Sequence, residues 1–419
     1  MNKSFQYRLY PTPKQQSLLA KTFGHNRFVW NRCLESRNQL YKNQKKSTNW
    51  VNLANGLIQL KKDHPFLKEV NSQTYQQTLK HQDKAFKAFF QNPRQFGFPK
   101  TKNRKSKQSV TIPQHIKINM ESGYTTICKI GNIPTIFHRP LEGKVQHATI
   151  SKTRAGNYYI SFCCKLDKEI KKQPVAPETT IGIDIGLKDF AVLSNGIKVV
   201  NPKFLKTSQV RLKHEQRKHS RKSKGSKGRE KQRIRLAKLS EHIANQRKDF
   251  LQKLTTSIVN DSQVNSIVVE DLNTKGMMKN HKLAGAIGDV GWNEFSRMLQ
   301  YKCEWNGKNF LQIGRFEPSS KTCSACGFVN KELTLKERSW LCPSCGREHD
   351  RDINAAINIK NMKLNSLGLR NDPVHLASGA TLKQVKERLV EQIASKALPA
   401  DASSYCVKTG KCQAELVSV

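Results

Sequence analysis

The sequence predicts a multidomain protein. Its main body is an α/β fold, preceded by a small antiparallel β domain and interrupted by a zinc ribbon. Three observations carry this reading. Short apolar runs, TIGIDIGLKDFAVL from residue 180, NSIVVEDLN (265–273) and FLQIGRF (310–316), read as buried strands and alternate with long helical stretches. Residues 108–165 alternate apolar and polar in the manner of half-exposed strands. Two Cys-x2-Cys pairs fall between residues 323 and 345. The 419 residues leave room for several domains with cores of their own.

Taken in order, SFQYRLY (4–10) predicts a strand. Thr12-Pro13-Lys14-Gln15 is a capping-box helix start, with Thr12 as N-cap, Pro13 in the first turn and Gln15 reaching back. Leu18, Leu19 and Phe23 follow at helical spacing, and Gly24 is expected to break the run. A second helix is then expected to carry Phe28, Val29, Cys33, Leu40 and Tyr41, and residues 51–92 read as mostly helical. This basic helical part resembles a helix-turn-helix module only in a pattern that many helix pairs share. In 108–165, SVTIPQHIKI, GYTTICKI and ATISKTRAGNYYISFCCKL predict an antiparallel β domain or barrel, with Ala155-Gly156-Asn157 as a turn. The first strand is expected to join it, which makes the helical part an insertion. Pro174 and Pro177 mark a linker. Residues 203–260 and 291–304 predict helices. Leu382, Val385, Leu389 and Ile393 suggest a last amphipathic helix, followed by a tail.

The net charge is +42 and the isoelectric point about 10.0. Such an excess of Lys and Arg disfavours self-association and favours a polyanionic partner, foremost nucleic acid. No window approaches the ~20 apolar residues of a membrane span, and the N-terminus shows no apolar stretch of a secretion signal. Of the eleven Cys only four sit in paired motifs, which argues for a reducing, cytoplasmic setting over a disulfide scaffold. The segment 211–238 carries thirteen Lys or Arg against two Glu, with Gly225 and Gly228 dividing it into two helices and a basic tip. A charge run is usually a solvated face. The density and one-sidedness here favour phosphate contact through Arg217, Lys218, Arg221, Lys222, Arg229 and Arg233, with Arg247 beyond them.

Cys323, Cys326, Cys342 and Cys345 form a C-x2-C-x15-C-x2-C pattern, a strong zinc signature. Each pair is followed by a glycine, Gly327 or Gly346, as a tight knuckle requires. Four thiolates complete a tetrahedron and leave no open position, so the predicted zinc is structural. His349 is an alternative ligand that four Cys make unnecessary.

Three acids stand in unusual places. Asp184 lies between Ile183 and Ile185, Glu270 ends IVVE, and Asp352 opens a helix. A carboxylate among Ile and Val costs free energy unless something pairs with it. One such residue is an ordinary satisfied Asp, but three suggest a shared cation. In IVVED, Val268 and Glu270 share one face and Val269 and Asp271 the other. Asp352, Ala355, Ala356 and Ile359 form one helical stripe, and Asp350 is read as the N-cap. Carboxylates converging at a sheet end would hold two Mg²⁺ ions and suit phosphodiester hydrolysis.

GIDIGLKDF, IVVEDLN, CSACG, CPSCG and HDRDINAAINI, in this order, closely resemble the TnpB family of transposon-encoded relatives of type V CRISPR effectors. RLYPTPKQQ, HNRFVWNRCLE and HIANQRKDFLQKLTT (242–256) are similar to it as well, so the resemblance spans roughly residues 1–362. It implies an RNA-guided DNA endonuclease with an RNase H-like RuvC nuclease domain, expected at 177–318 and 348–370. It implies a β-barrel wedge domain at 1–12 and 108–176, a helical recognition domain at 13–107 and a zinc ribbon at 319–347, leaving 371–419 as a tail with no matching motif. Asp184, Glu270 and Asp352 match the catalytic, Mg²⁺-binding carboxylates, and the four Cys match the ligands of one Zn²⁺. The implied partners are a guide RNA from the transposon end and a target double-stranded DNA beside a short protein-read motif. The implied setting is a prokaryotic cytoplasm at the nucleoid, with no membrane and a monomeric chain. Two rival functions remain: a transposase or resolvase-type nuclease acting without guide RNA, and a nuclease-dead RNA-guided repressor, which should lack one of the three carboxylates. A third, plain DNA binding through the N-terminal helices, leaves the acids without a purpose.

Overall fold

The computed structural model describes residues 1–167, 169–315, 317–334 and 337–369. The expected helix around Leu382 and the tail lie outside the described residues. The chain divides into two compact units, Met1–Glu169 with Glu215–Leu239, and Ile170–His214 with Ser240 onward.

The first unit begins with β1 (Asn2–Leu9) and α1 (Pro13–Gln44). The capping box forms as expected: Gln15 N–H donates to Thr12 Oγ1, and the Gln15 side chain accepts from Thr12 N–H. Gly24 does not break the helix. A single 32-residue helix replaces the expected pair. The cost of one helical glycine, ~1 kcal/mol, is outweighed by the buried face that runs through Leu19, Phe23, Val29, Trp30 and Leu34. Then come α2 (Trp50–Asn55), α3 (Leu57–Asp63), a 3-10 turn (Pro65–Glu69) and α4 (Ser72–Gln91). Val29, Leu57, Leu67, Tyr75 and Leu79 make a small core of their own.

Six strands follow: β2 (Gln108–Ile112), β3 (Ile116–Asn119), β4 (Tyr124–Ile127), β5 (Gly131–Ile136), β6 (Lys144–Lys152) and β7 (Tyr158–Lys165). With β1 they form a seven-stranded antiparallel sheet in the order β2-β6-β7-β1-β5-β4-β3. β1 lies between β7 and β5, so the first strand does join this domain and the helices are an insertion between it and β2. Residues from both ends of the sheet, Val110 and Ile112 on one side and Ile127 on the other, enter one core with Phe5, Tyr7 and Phe162. The sheet is therefore curled around a single interior.

The second unit contains β8 (Thr180–Ile185), β9 (Asp189–Leu193) and β10 (Lys198–Val200). Two long helices, α5 (Phe204–Ser220) and α6 (Lys227–Asn260), form the basic hairpin, whose outer part, Glu215–Leu239, belongs to the first unit; it is broken where Gly225 takes a left-handed φ of 84°. Then follow β11 (Ser266–Glu270), α7 (Thr274–Met277), α8 (Ala284–Val290), α9 (Trp292–Asn306) and β12 (Asn309–Ile313). Last come β13 (Ser339–Leu341), β14 (Glu348–Asp350) and α10 (Arg351–Ser366).

The five-stranded sheet has the order β10-β9-β8-β11-β12. β8, β9 and β10 run antiparallel as a meander, while β11 is parallel to both β8 and β12. Both faces of its middle strands are covered, so these strands read as nearly continuous apolar runs. On one face Ile183, Ile185 and Val269 pack with Leu251 and Leu254 of α6 and Phe295 and Leu299 of α9. On the other, Val268 packs with Ile359 of α10. The alternation expected for Val268 and Val269 is borne out.

Gly182 sets how close α10 comes. A Cβ built there would collide with the Ala356 carbonyl oxygen and lie 2.8 Å from the Lys360 nitrogen. Only a residue without a side chain lets helix backbone rest on strand backbone at this point. Gly182→Ala is expected to lower stability by about 1–3 kcal/mol through overpacking. Gly285→Ala, where a Cβ meets nothing within 4 Å, should be neutral or slightly stabilising. Thermal denaturation of the two variants checks this, and equal melting points would contradict the close packing.

Candidate active site and metal centre

Asp184 is the one polar residue in the run Ile181–Ile185, on the central strand β8. Val269 of β11 lies in register with Ile183, so the next step along each parallel strand brings Glu270 beside Asp184. Paired residues of neighbouring strands point to the same face and lie about 4.8 Å apart in backbone. That face is the one α10 covers. Ala356 rests over Gly182, and four residues back along the helix, about 6 Å, is Asp352. Two residues along β8, about 6.6 Å, is Asp184. Strand and helix periodicities thus bring Asp352 over Asp184.

The electrostatics agree. Burial pushes the Asp184 carboxyl up to about 7, and the Asp352 and then the Glu270 charge push in the same direction. Glu270 is also raised, by burial first and by Asp271 second. Such mutual opposition is relieved by a cation. One is already present: Arg338 donates to both oxygens of Asp352 at 3.3 Å. The carboxylates do not close on a single point. Among the described residues, only the four cysteines bring three or more ligand atoms within 4.8 Å of one another.

Cys323, Cys326, Cys342 and Cys345 form that group. The Cys323–Cys345 and Cys326–Cys342 sulfur distances are 3.7 and 3.6 Å. A tetrahedron with Zn–S bonds of ~2.3 Å has edges of about 3.8 Å, so the cluster is already the size zinc requires. Gly327 and Gly346 take left-handed φ values of 78° and 69°, and their N–H groups donate to the Cys323 and Cys342 carbonyls, closing each knuckle. His349 is not needed as a ligand. Its Nε2 lies 3.0 Å from the Cys323 sulfur, where it would act as an outer partner once a metal held that sulfur as thiolate.

The ribbon and the carboxylates form one assembly. β13 pairs with β14, and Arg351 N–H donates to the Arg338 carbonyl, which sets Arg338 beside the first turn of α10. Asp350 caps that helix, accepting from Asp352 and Ile353 N–H, as expected. Two buried asparagines tie the first knuckle to the helix. Asn354 accepts from Ser324 N–H and donates to the Thr322 carbonyl at 2.7 Å, and Asn358 donates to Ser319 and Thr322 carbonyls. Sequence reasoning missed Arg338, Asn354 and Asn358. Two Asn four apart beside the apolar stripe of α10 are the signal that could have found the latter pair.

Arg217, Lys218, Arg221, Lys222 and Arg233 are exposed on the basic hairpin. Arg229 is half-buried and donates to the Lys222 carbonyl at 2.5 Å, fastening the tip. Arg233 chelates Glu230 at 2.8 and 2.6 Å. Arg247 is taken up inside the second unit. It pairs with buried Asp289 at 2.8 Å, whose other oxygen accepts from Leu205 N–H. Among the described residues no helix is long and apolar enough to cross a membrane.

Comparison with known proteins adds the family. A family described as "Probable transposase" matches residues 161–281, one described as "Cas12f1-like, TNB domain" matches 292–359, and a "Helix-turn-helix domain" matches 1–46. The last region is a strand and one continuous helix here. A protein of Streptomyces pristinaespiralis named "Putative RNA-guided DNA endonuclease" is 38% identical over 364 residues, covering 86% of this chain and 89% of that one. The Escherichia coli K12 protein of the same description, InsQ, is 30% identical over 375 residues, covering 85% and 91%. The "TnpB-like protein L79" of Acanthamoeba polyphaga mimivirus is 26% identical over 254 residues, covering 54% and 46%. This chain belongs to the TnpB family. The TnpB motifs read from its sequence thus fall where the geometry groups them: the carboxylates at strand ends and under one helix turn, the cysteines in one cluster.

Two outcomes are expected. Cys342→Ser should lose bound zinc and lower the melting temperature, because the metal supplies much of the folding energy of so small a ribbon. Cys128→Ser, an exposed free thiol, should keep full zinc content. Metal analysis of the purified proteins decides between them. The second concerns pH. The folded state keeps the Asp184 proton up to about 7, whereas the unfolded chain sheds it near 3.9. The metal-free protein should therefore lose stability as pH rises through this window. Added Mg²⁺ should raise the melting temperature little at the acid end and more above it, and Asp184→Asn should remove both effects. A Mg²⁺ shift independent of pH would contradict the raised carboxyl.

Proposed function

We propose that this protein is a transposon-encoded, RNA-guided DNA endonuclease. The observation that carries the reading is an island of three grouped carboxylates, Asp184, Glu270 and Asp352, in a chain of net charge +42. A chain this basic binds polyanions through its surface, so acids held together at a cost in the fold must serve another ligand. The near-full-length likeness to relatives named as RNA-guided DNA endonucleases supports the same reading.

In this reading the second unit is a RuvC-type nuclease of RNase H-like architecture. The antiparallel meander on one side of β8, the parallel β11 and β12 on the other, and α10 across the face support it. The curled sheet corresponds to the wedge domain, α1–α4 to the recognition domain, and the four-Cys ribbon to an insertion before the last catalytic helix. Asp184, Glu270 and Asp352 would hold two Mg²⁺ ions, which when bound supply an activated water and charge stabilisation at the leaving oxygen. The protein's own groups do the rest. Asp184, raised to about 7, would hold a cation as the ionised carboxylate, its proton passing to solvent. Arg338 balances the charge of Asp352. Arg217, Lys218, Arg221, Lys222, Arg229 and Arg233 hold nucleic-acid backbone, while base pairing with the guide reads the target sequence. A nuclease acting on DNA without RNA remains the rival, and it shares the carboxylates.

The protein expressed with its flanking DNA should co-purify with one defined RNA from the neighbouring element end, and that RNA should direct Mg²⁺-dependent cutting of a matching DNA. Asp184→Ala should lower cutting more than about a hundred-fold and leave DNA and RNA binding nearly intact. Undiminished cutting by Asp184→Ala would overturn the site. Cutting with no bound RNA would favour the DNA-only nuclease.

A further inference from the structure

The last turns of α4 and the loop after it carry an aromatic cluster that neither the carboxylates nor the basic hairpin uses. Phe86, Phe89 and Phe90 fall at i, i+3 and i+4 on α4 and so share one face. Asn92 ends the helix, and its carbonyl accepts from Gln95 and Phe96 N–H, so the chain folds back. Phe98 then meets both Phe86 and Phe89 edge to face, with ring centres 5.4 Å apart in each case and ring planes at 89° and 84°. Phe90 lies against Phe89 at 5.2 Å. The loop is anchored from behind by α1. The Trp30 indole donates to the Lys100 carbonyl at 3.0 Å, and Asn31 exchanges two hydrogen bonds with the Lys102 backbone.

These rings face water. Phe90 is 71% exposed, Phe96 46% and Phe98 45%. Apolar surface left open in this way costs free energy that a covering partner recovers. Composition points to the partner. Residues 84–107 hold eight Lys or Arg and no Asp or Glu, and every large apolar side chain among them is Phe. Arg94 and Lys100, both exposed, share the loop with Phe96 and Phe98. The nearest acid in sequence, Asp83, is held by Arg37 at 3.0 Å. A lipid surface or a protein groove accepts Leu, Ile or Met as readily as Phe. A nucleobase needs a flat ring to stack on and a cation for its phosphate. Exposed Phe interleaved with Lys and Arg therefore suits a single strand, whose base faces are open, better than a duplex, whose bases already stack on one another.

We propose that Phe90, Phe96 and Phe98 form a stacking platform for unpaired bases of the DNA strand that guide pairing displaces. The proposal rests on the reading of the protein as RNA-guided. Under that reading the target strand is paired with the guide, and the displaced strand is left with its base faces open. Exchanging DNA pairing for guide pairing is nearly balanced in free energy, so a few bases stacked on the displaced side decide how fully the duplex opens. The platform takes any base, because every base has a flat face, and so adds no sequence preference of its own.

The test uses the full chain with its co-purified RNA, in an Asp184→Ala background so that binding is read apart from cutting. Two matching targets are opened beforehand by mismatches between their DNA strands. In one the displaced strand keeps its bases, and in the other it carries abasic sites over the opened stretch. With the platform intact, the base-bearing target should bind roughly ten-fold tighter, the size of effect that removing a stacking aromatic produces. Phe90→Leu with Phe96→Leu should bind both targets alike, and Phe90→Tyr with Phe96→Tyr should keep the preference. Both positions are exposed, so the variants should fold, and unchanged melting temperatures check this. A Leu pair that keeps the preference makes the contact merely apolar and overturns the proposal. Guide RNA content that falls with the Leu pair assigns the rings to the RNA and overturns it as well. If guided binding is normal and the intact platform does not distinguish the two targets, the platform alone fails. If no defined RNA co-purifies, the guided reading fails and the proposal with it.

Discussion

Close contact between α10 and β8 at Gly182 is the constraint on which the rest of the second unit depends. With the helix backbone resting on the strand backbone, the next turn of α10 must pass over the next outward position of β8. Asp352 and Asp184 occupy those two positions. The same contact fixes where the helix begins, hence where β14 ends and where the ribbon stands. A side chain at residue 182 would move all of these together, since interiors are packed too tightly to absorb such a shift locally.

The carboxylates are held at a cost. Burial and mutual repulsion raise Asp184 to about 7, and the surrounding fold supplies the free energy that keeps the group there. Strain of this kind is tolerated where a ligand relieves it. Arg338 supplies part of the relief from the ribbon side, and Asn354 and Asn358 lock the knuckle to the helix that carries Asp352. The zinc ribbon is therefore more than an appendage. Its four cysteines gather around the β13–β14 hairpin, and Arg338, which leads into that hairpin, pairs with an acid of the site.

The basic hairpin exposes Arg217, Lys218, Arg221 and Lys222 to solvent, where cations remain hydrated and available to phosphate. Arg247, further along the same hairpin, lies where α6 enters the apolar core, and Asp289 claims it. One hairpin thus exposes its cations to solvent at one end and enters a core at the other.

Much of this was legible in the sequence, for local reasons. The Thr12–Gln15 capping box, the alternation of Val268 and Val269, the Asp350 cap and the spacing of the four Cys depend on residues a few positions apart, and local geometry decides them. The three carboxylates were legible because an ionisable group in an apolar strand is costly to keep unless a partner or a cation holds it. Gly24 misled for the opposite reason: its helical cost is small and local, while the buried face that overrides it belongs to the whole domain. Arg338, Asn354 and Asn358 were not legible. Their partners lie on other elements, and nothing in a run of neighbouring residues marks which exposed arginine will face an acid. By itself the sequence determined most of the elements, the clustering cysteines and the acids. Only the tertiary structure decided which acid meets which, how near, and what stands around them, because those distances are set by helix-on-sheet packing and by no single segment.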